Sequence, residues 1–152
     1  MSNEPSEFGG EEHFQATPER LYAQLTDLDA MTRTIPDLLS AERAEDGSLQ
    51  CVVRPGFSFL RGTLKLTIGL ADLQPPSHAA MRVAAQGIGV SMRILSHLNI
   101  AADGDGSKLV WDARLEERKG LAAALSPGLI KAAADQVIRH AWAQVRGQLG
   151  EG

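Results

Sequence analysis

The chain has 152 residues, 43% of them hydrophobic and 22% charged, which is the size and balance of one compact domain with enough apolar content for a core. A net charge of −4 and a pI near 5.5 argue against nucleic acid as a partner, because nucleic-acid binders carry clustered basic surface. No apolar run approaches the roughly 18 residues of a membrane helix. Met1–Glu7 lacks the basic and apolar tandem of a targeting segment, and the single Cys51 has no internal disulfide partner. A cytoplasmic, reducing setting is expected.

A polar tail over residues 1–7 precedes a single domain expected over 8–149, with 150–152 as a second short tail. Phe8 to Ala16 reads as a strand, with Phe8 and Phe14 on one side and Gly9, Glu11 and His13 on the other. Thr17-Pro18-Glu19 then opens a helix, with an N-cap hydroxyl, proline at the first helical position and an acid in the first turn. Leu21, Leu25 and Leu28 repeat at helical spacing, and the pattern runs to about Thr34 as two short helices broken near Asp27–Asp29 and ended by Pro36.

From Leu38 the period changes to two, and turn signals recur at Asp46-Gly47, Pro55-Gly56, Pro75-Pro76, Gly87-Ile88-Gly89 and Asp103-Gly104-Asp105-Gly106. Six strands fit between those turns. The clearest spans Leu60 to Leu73, where Leu64, Leu66, Ile68 and Leu70 face one way and Thr63, Lys65 and Thr67 the other. Short connections predict an antiparallel meander that is dry on one face. Leu121 to Leu149 predicts a long helix with a kink or restart at Pro127-Gly128. Its apolar stripe of Ile130, Ala133, Ala134, Val137, Ala141 and Val145 opposes Lys131, Asp135, Arg139 and Arg146. The class is α+β, with the helix covering a curved antiparallel sheet.

Alanines on that stripe project one methyl each, so room is expected between helix and sheet. The predicted wall of this cavity is Leu64, Leu66 and Ile68, then Met81 and Val83, then Met92, Ile94 and Ser96, with Trp111 beyond. Leu125, Ile130, Ala133, Val137 and Ala141 are its helical side. Apolar concavities of this kind take small molecules. The competing possibility is that alanine simply allows the helix to pack closely on the sheet.

Catalytic and metal chemistry find little support. Glu11-Glu12 and Glu116-Glu117 are strand neighbours that point to opposite faces, and Asp103-Gly104-Asp105-Gly106 lacks the distal ligands of a calcium loop. His13, His78, His97 and His140 are dispersed and have no second ligand at zinc-site spacing, so no metal is expected. His97 shares the outward phase of Arg93, His140 borders the helix stripe, and Cys51 reads as a buried inert thiol. The glycine pairs lack the third glycine of a dinucleotide fingerprint, so no cofactor is expected.

The motifs and their order resemble the SRPBCC or START-like superfamily, with its helix-grip fold, and within it the carbon monoxide dehydrogenase G-subunit family. The matching stretches are Phe8-Gly9-Gly10 with Phe14, Ala16-Thr17-Pro18-Glu19 with Leu21 and Tyr22, Leu25-Thr26-Asp27, Ile35-Pro36 and Phe59-Leu60-Arg61-Gly62. Pro75-Pro76, Gly87-Ile88-Gly89, Leu109-Val110-Trp111 and Gly120-Leu121-Ala122 complete them. The resemblance implies a curved seven-stranded antiparallel sheet around the long C-terminal helix, two short helices between its first and second strands, and an elongated hydrophobic cavity.

It also implies a non-catalytic accessory to molybdenum hydroxylases of the carbon monoxide dehydrogenase type, involved in their maturation, in membrane recruitment or in handling lipid-like molecules such as quinones. No catalytic residues carry over. The family often has Pro-Gly-Cys where this chain has Pro36-Asp37-Leu38. Many members continue into a membrane-engaging tail, whereas this sequence stops at Gly152, so membrane contact is expected to be at most peripheral, on the inner face. Two alternatives stand beside this. Relatives of the fold include polyketide cyclases and dehydratases, for which only Ser96 and His140 offer chemistry. A cavity-less interaction module would dock through the outer sheet face, yet Thr63, Lys65, Arg82, Arg93, Asp112 and Arg114 make that face ordinary surface.

Overall fold

The computed structural model describes residues 7–35, 37–54, 62–87, 89–120 and 127–151, with only the backbone described for Phe8, Val90, residues 117–120, Pro127, Leu129, Ile130 and Ala133. Strand β1 (Glu7–Phe14) leads into helices α1 (Pro18–Leu25) and α2 (Leu28–Met31) and a 3-10 turn, Thr32–Thr34. Six strands follow: β2 (Leu38–Arg43), β3 (Leu49–Val53), β4 (Leu64–Gln74), β5 (His78–Gly87), β6 (Val90–Asp103) and β7 (Gly106–Gly120). Helix α3 (Pro127–Gln148) closes the order.

The strands form one antiparallel sheet in the order β1-β7-β6-β5-β4-β3-β2, so β1 and β2 are its free edges. This is the expected α+β helix-grip architecture, with a meander from β2 to β7 and β1 returning beside β7.

Local chemistry accounts for the entry to the fold. The Thr17 Oγ1 accepts from the Arg20 amide at 3.3 Å with Pro18 behind it, so α1 starts where an N-cap and a preset φ coincide. Asp27 Oδ1 accepts from the Asp29 and Ala30 amides at 3.0 and 3.1 Å, restarting the chain as α2 and explaining the break. Asp37, which stands where the resembled family often has glycine, has a left-handed φ of 59°. The backbone there favours the residue this chain has given up.

One boundary differs from expectation. β4 begins at Leu64 rather than Leu60, and the predicted start of that strand at 60–61 lies outside the described residues. The described part of α3 begins at Pro127, in keeping with a restart at Pro127-Gly128, proline being suited to a first helical turn. Residues 121–126, including Leu125, lie outside the described residues.

Cross-strand register fixes which side chains share the inner face. Leu66 pairs with Ala85, Ile68 with Val83, Val83 with Ile94 and Ile94 with Leu115. Further along, Met81 pairs with Ser96, Ser96 with Ala113 and Leu98 with Trp111. A bulge between Arg93 and Ile94 lets β7 carry one extra residue, which bends the sheet around the helix. The buried residues form three clusters, not one. The largest joins Phe14, Leu21, Leu98, Leu109 and Trp111 to Val145 of α3 and to Leu149 just beyond its end. Two smaller ones lie under β3 and β4, around Val53 with Leu64 and around Leu28, Leu49, Cys51 and Ile68.

Candidate functional site: a groove beneath the C-terminal helix

The last turns of α3 are tied firmly to the β1–α1 corner. The Arg146 guanidinium donates to the His13 carbonyl at 3.1 Å, meets Glu12 Oε1 at 3.4 Å and lies 4.6 Å over the Phe14 ring. The Glu151 carboxylate accepts from the Gln15 and Ala16 amides at 2.8 and 3.1 Å, and Gln148 donates to the Ala30 carbonyl. Arg146 therefore belongs to the packed side of the helix and not to the solvated face expected of it, because its long apolar stem reaches across the ring before the charge finds a partner. Trp142 packs beside it, 6.3 Å edge-on to Phe14 and 6.2 Å from Trp111. On the neighbouring strand, a Cβ at Gly10 would come within 3.1 Å of the Trp111 ring, so that glycine makes room for the indole.

Away from this corner the described inner-face side chains are less deeply buried. Leu66, Met81, Val83, Met92, Ile94 and Ser96 all point to the helix side, yet each keeps solvent-accessible surface, as do Val137 and Ala141 opposite them. Of the predicted wall, Leu64, Ile68 and Trp111 are instead buried, in the second, third and first clusters respectively. Leu125 and the side chains of Ile130 and Ala133 lie outside the described residues. The half-buried residues pack against the edges of the three clusters and together make up the candidate apolar site. Ile138, on the helix, packs at its margin together with Trp142; neither was in the predicted wall.

Ser96 is the informative atom in this groove. It sits at mid-strand between Met81 and Ala113, flanked by Ile94 and Leu98. Its hydroxyl has no hydrogen-bond partner among the described residues, and the residue is half-buried, keeping solvent-accessible surface. The Trp142 Nε1 also lacks an acceptor, but it is enclosed.

Other candidates do not assemble chemistry. Cys51 is buried and its thiol is pushed up by burial, which disfavours the nucleophilic thiolate. His140 is exposed. His97 stacks on His78 on the outer face, 5.6 Å between rings, and His78 is held by Asn99 and Asp72. His13 lies between Asp103 and Glu11 on the surface, where the hydrogen bonds to those carboxylates hold its pKa above the usual range. Among the described residues no three His, Cys, Asp or Glu side chains are grouped to hold a metal ion. A second cleft of about 420 Å³ opens between the α1–α2 junction and the β2–β3 turn, lined by Asp27, Arg43, Asp46 and Leu70 among others. Its polar groups serve one another: Asp27 caps α2, Arg43 donates to the Gly47 carbonyl, and Asp46 accepts from Ser48.

A seven-stranded antiparallel sheet with a long C-terminal helix defines the START-like, helix-grip class. Solved structures agree on the fold. A conserved protein from Geobacillus kaustophilus superposes with a TM-score of 0.86 at 16% identity over 95% of each chain. A START superfamily protein from Mycobacterium smegmatis gives 0.67 at 14% identity, covering 95% of this chain and 97% of that one. A protein from Arthrobacter aurescens gives 0.68 at 13% identity, over 97% and 87%. Residues 10–150 match the carbon monoxide dehydrogenase G-subunit family (CoxG), and the chain belongs to that family. No curated protein matches it in sequence. No helix among the described residues is long and apolar enough to cross a membrane.

Proposed function

We propose that this protein is a non-enzymatic carrier that holds a hydrophobic small molecule, lipid-like or quinone-like, in the groove between the sheet and α3. The inward, half-buried Ser96, whose hydroxyl has no partner among the described residues, carries the proposal, since a filled core pairs its polar atoms. Membership of the CoxG family supports a partner of the molybdenum hydroxylase type, with the carrier working in the cytoplasm or against the inner face of the membrane. Each methylene taken from water into the groove contributes roughly 0.8 kcal/mol, so a long chain is retained without a charged anchor. Native mass spectrometry of the purified protein, followed by solvent extraction and mass analysis, tests this. A stoichiometric apolar adduct is expected. A mass that stays unliganded after incubation with quinones, fatty acids and isoprenoids would contradict the proposal.

A further inference from the structure

We infer that Ser96 reads an uncharged oxygen, a carbonyl or hydroxyl, on an otherwise hydrocarbon ligand. The inference rests on the groove being the binding site. Around Ser96 the described inner-face neighbours are Met81, Ile94, Leu98 and Ala113, none of which donates or accepts a strong hydrogen bond. A plain alkyl chain lying there would cover the hydroxyl and leave it without a partner, which costs free energy. A carbonyl oxygen on the ligand removes that cost by accepting the Ser96 O–H, and a ligand hydroxyl does so in either direction.

Charge is a different matter. Arg82, Arg93, Asp112 and Arg114 occupy outward positions in the same strands, and on the helix Asp135 pairs with Arg139 at 3.0 Å. A carboxylate at the centre of the groove would therefore be buried without a cation among the described residues. The register sets Arg118 opposite Met92, four residues along β6 from Ser96. At about 3.3 Å per residue that is roughly 13 Å away, too far for one oxygen to meet both. The Trp142 N–H is enclosed and offers no rival contact.

The test uses the full chain and three twelve-carbon probes, dodecane, dodecan-6-one and dodecanoate, each competing against Nile red. Wild type is compared with Ser96→Ala and Ser96→Thr. Ser96→Ala is expected to weaken the ketone about threefold to tenfold, with the alkane and carboxylate changing less than about twofold, because only the ketone engages the hydroxyl. Ser96→Thr, which keeps the hydroxyl, is expected to retain the ketone's sensitivity. Equal effects of Ser96→Ala on ketone and alkane, or none on either, overturn the inference while leaving the groove intact. Failure of Nile red and all three probes to bind overturns the groove itself.

Discussion

The β1–α1 corner and the candidate groove are built from the same small and aliphatic residues, yet the first is buried and the second only half-buried. In the corner, Ala79 and Ala113 are 1% and 2% exposed and Leu109 is fully enclosed, while Arg146, Gln148 and Glu151 hold the end of α3 against β1 and the α1–α2 turn. At the candidate site, Val137 and Ala141 of α3 and Met81, Val83 and Ser96 of the sheet are each only half-buried. Small side chains are thus deeply buried where polar ties draw the helix in, and less so along the described part of its apolar stripe. Alanine content alone does not distinguish the two.

The difference can be broken most forcefully at the corner. Trp111→Ala removes a large enclosed side chain and is expected to cost about 3–5 kcal/mol, lowering Tm by about 10 °C or more in a thermal melt. A sharper contrast comes from one substitution made in both regions. Ala113→Leu overpacks the corner and is expected to cost about 1–3 kcal/mol by urea denaturation. Ala141→Leu has room, so its stability is expected to stay within about 0.5 kcal/mol of wild type while Nile red binding falls. Equal destabilisation by both would mean that the groove is as tightly packed as the corner.

A smaller effect is expected from the tie that draws the helix in. Arg146→Ala removes a half-exposed ion pair, a carbonyl contact and a cation–π contact, and is expected to cost about 1 kcal/mol. The smallest is electrostatic. His13 titrates above its ordinary value because Asp103 and Glu11 accept from it, so its contribution is complete below the unfolded pKa and is lost as pH rises through the folded one. Glu11 is held low chiefly by its hydrogen bond to Lys108, then by that to His13, so its contribution is present above its unfolded pKa and lost on acidification. The urea-midpoint gap between wild type and His13→Ala is therefore expected to narrow as pH is raised from near 6 toward 8. A gap that widens over that range would contradict the assignment.

Most of the fold was legible because strand and helix periods are strong signals here. The inward phases of β4 to β7 follow from alternation, and α1 from Thr17-Pro18. Alternation gives the face of a residue and not its depth. Leu64, Ile68 and Trp111 share a phase with Leu66 and Ser96, but whether a side chain ends in a cluster or in the groove depends on where the helix is pinned. That pinning comes from Arg146, Gln148 and Glu151, whose partners lie more than a hundred residues away in the chain. Ile138 and Trp142 were missed for a related reason. A helix inside a curved sheet is contacted over a wider arc than the narrow stripe drawn through Ala134, Val137 and Ala141.

The chain has four methionines, and two of them, Met81 and Met92, lie in the groove. Methyl-labelled methionine spectra recorded during a titration with Nile red therefore test the account most directly. The Met81 and Met92 signals are predicted to move together and saturate at one equivalent. Saturable binding that leaves both signals in place would put the ligand elsewhere and contradict a groove beneath the C-terminal helix.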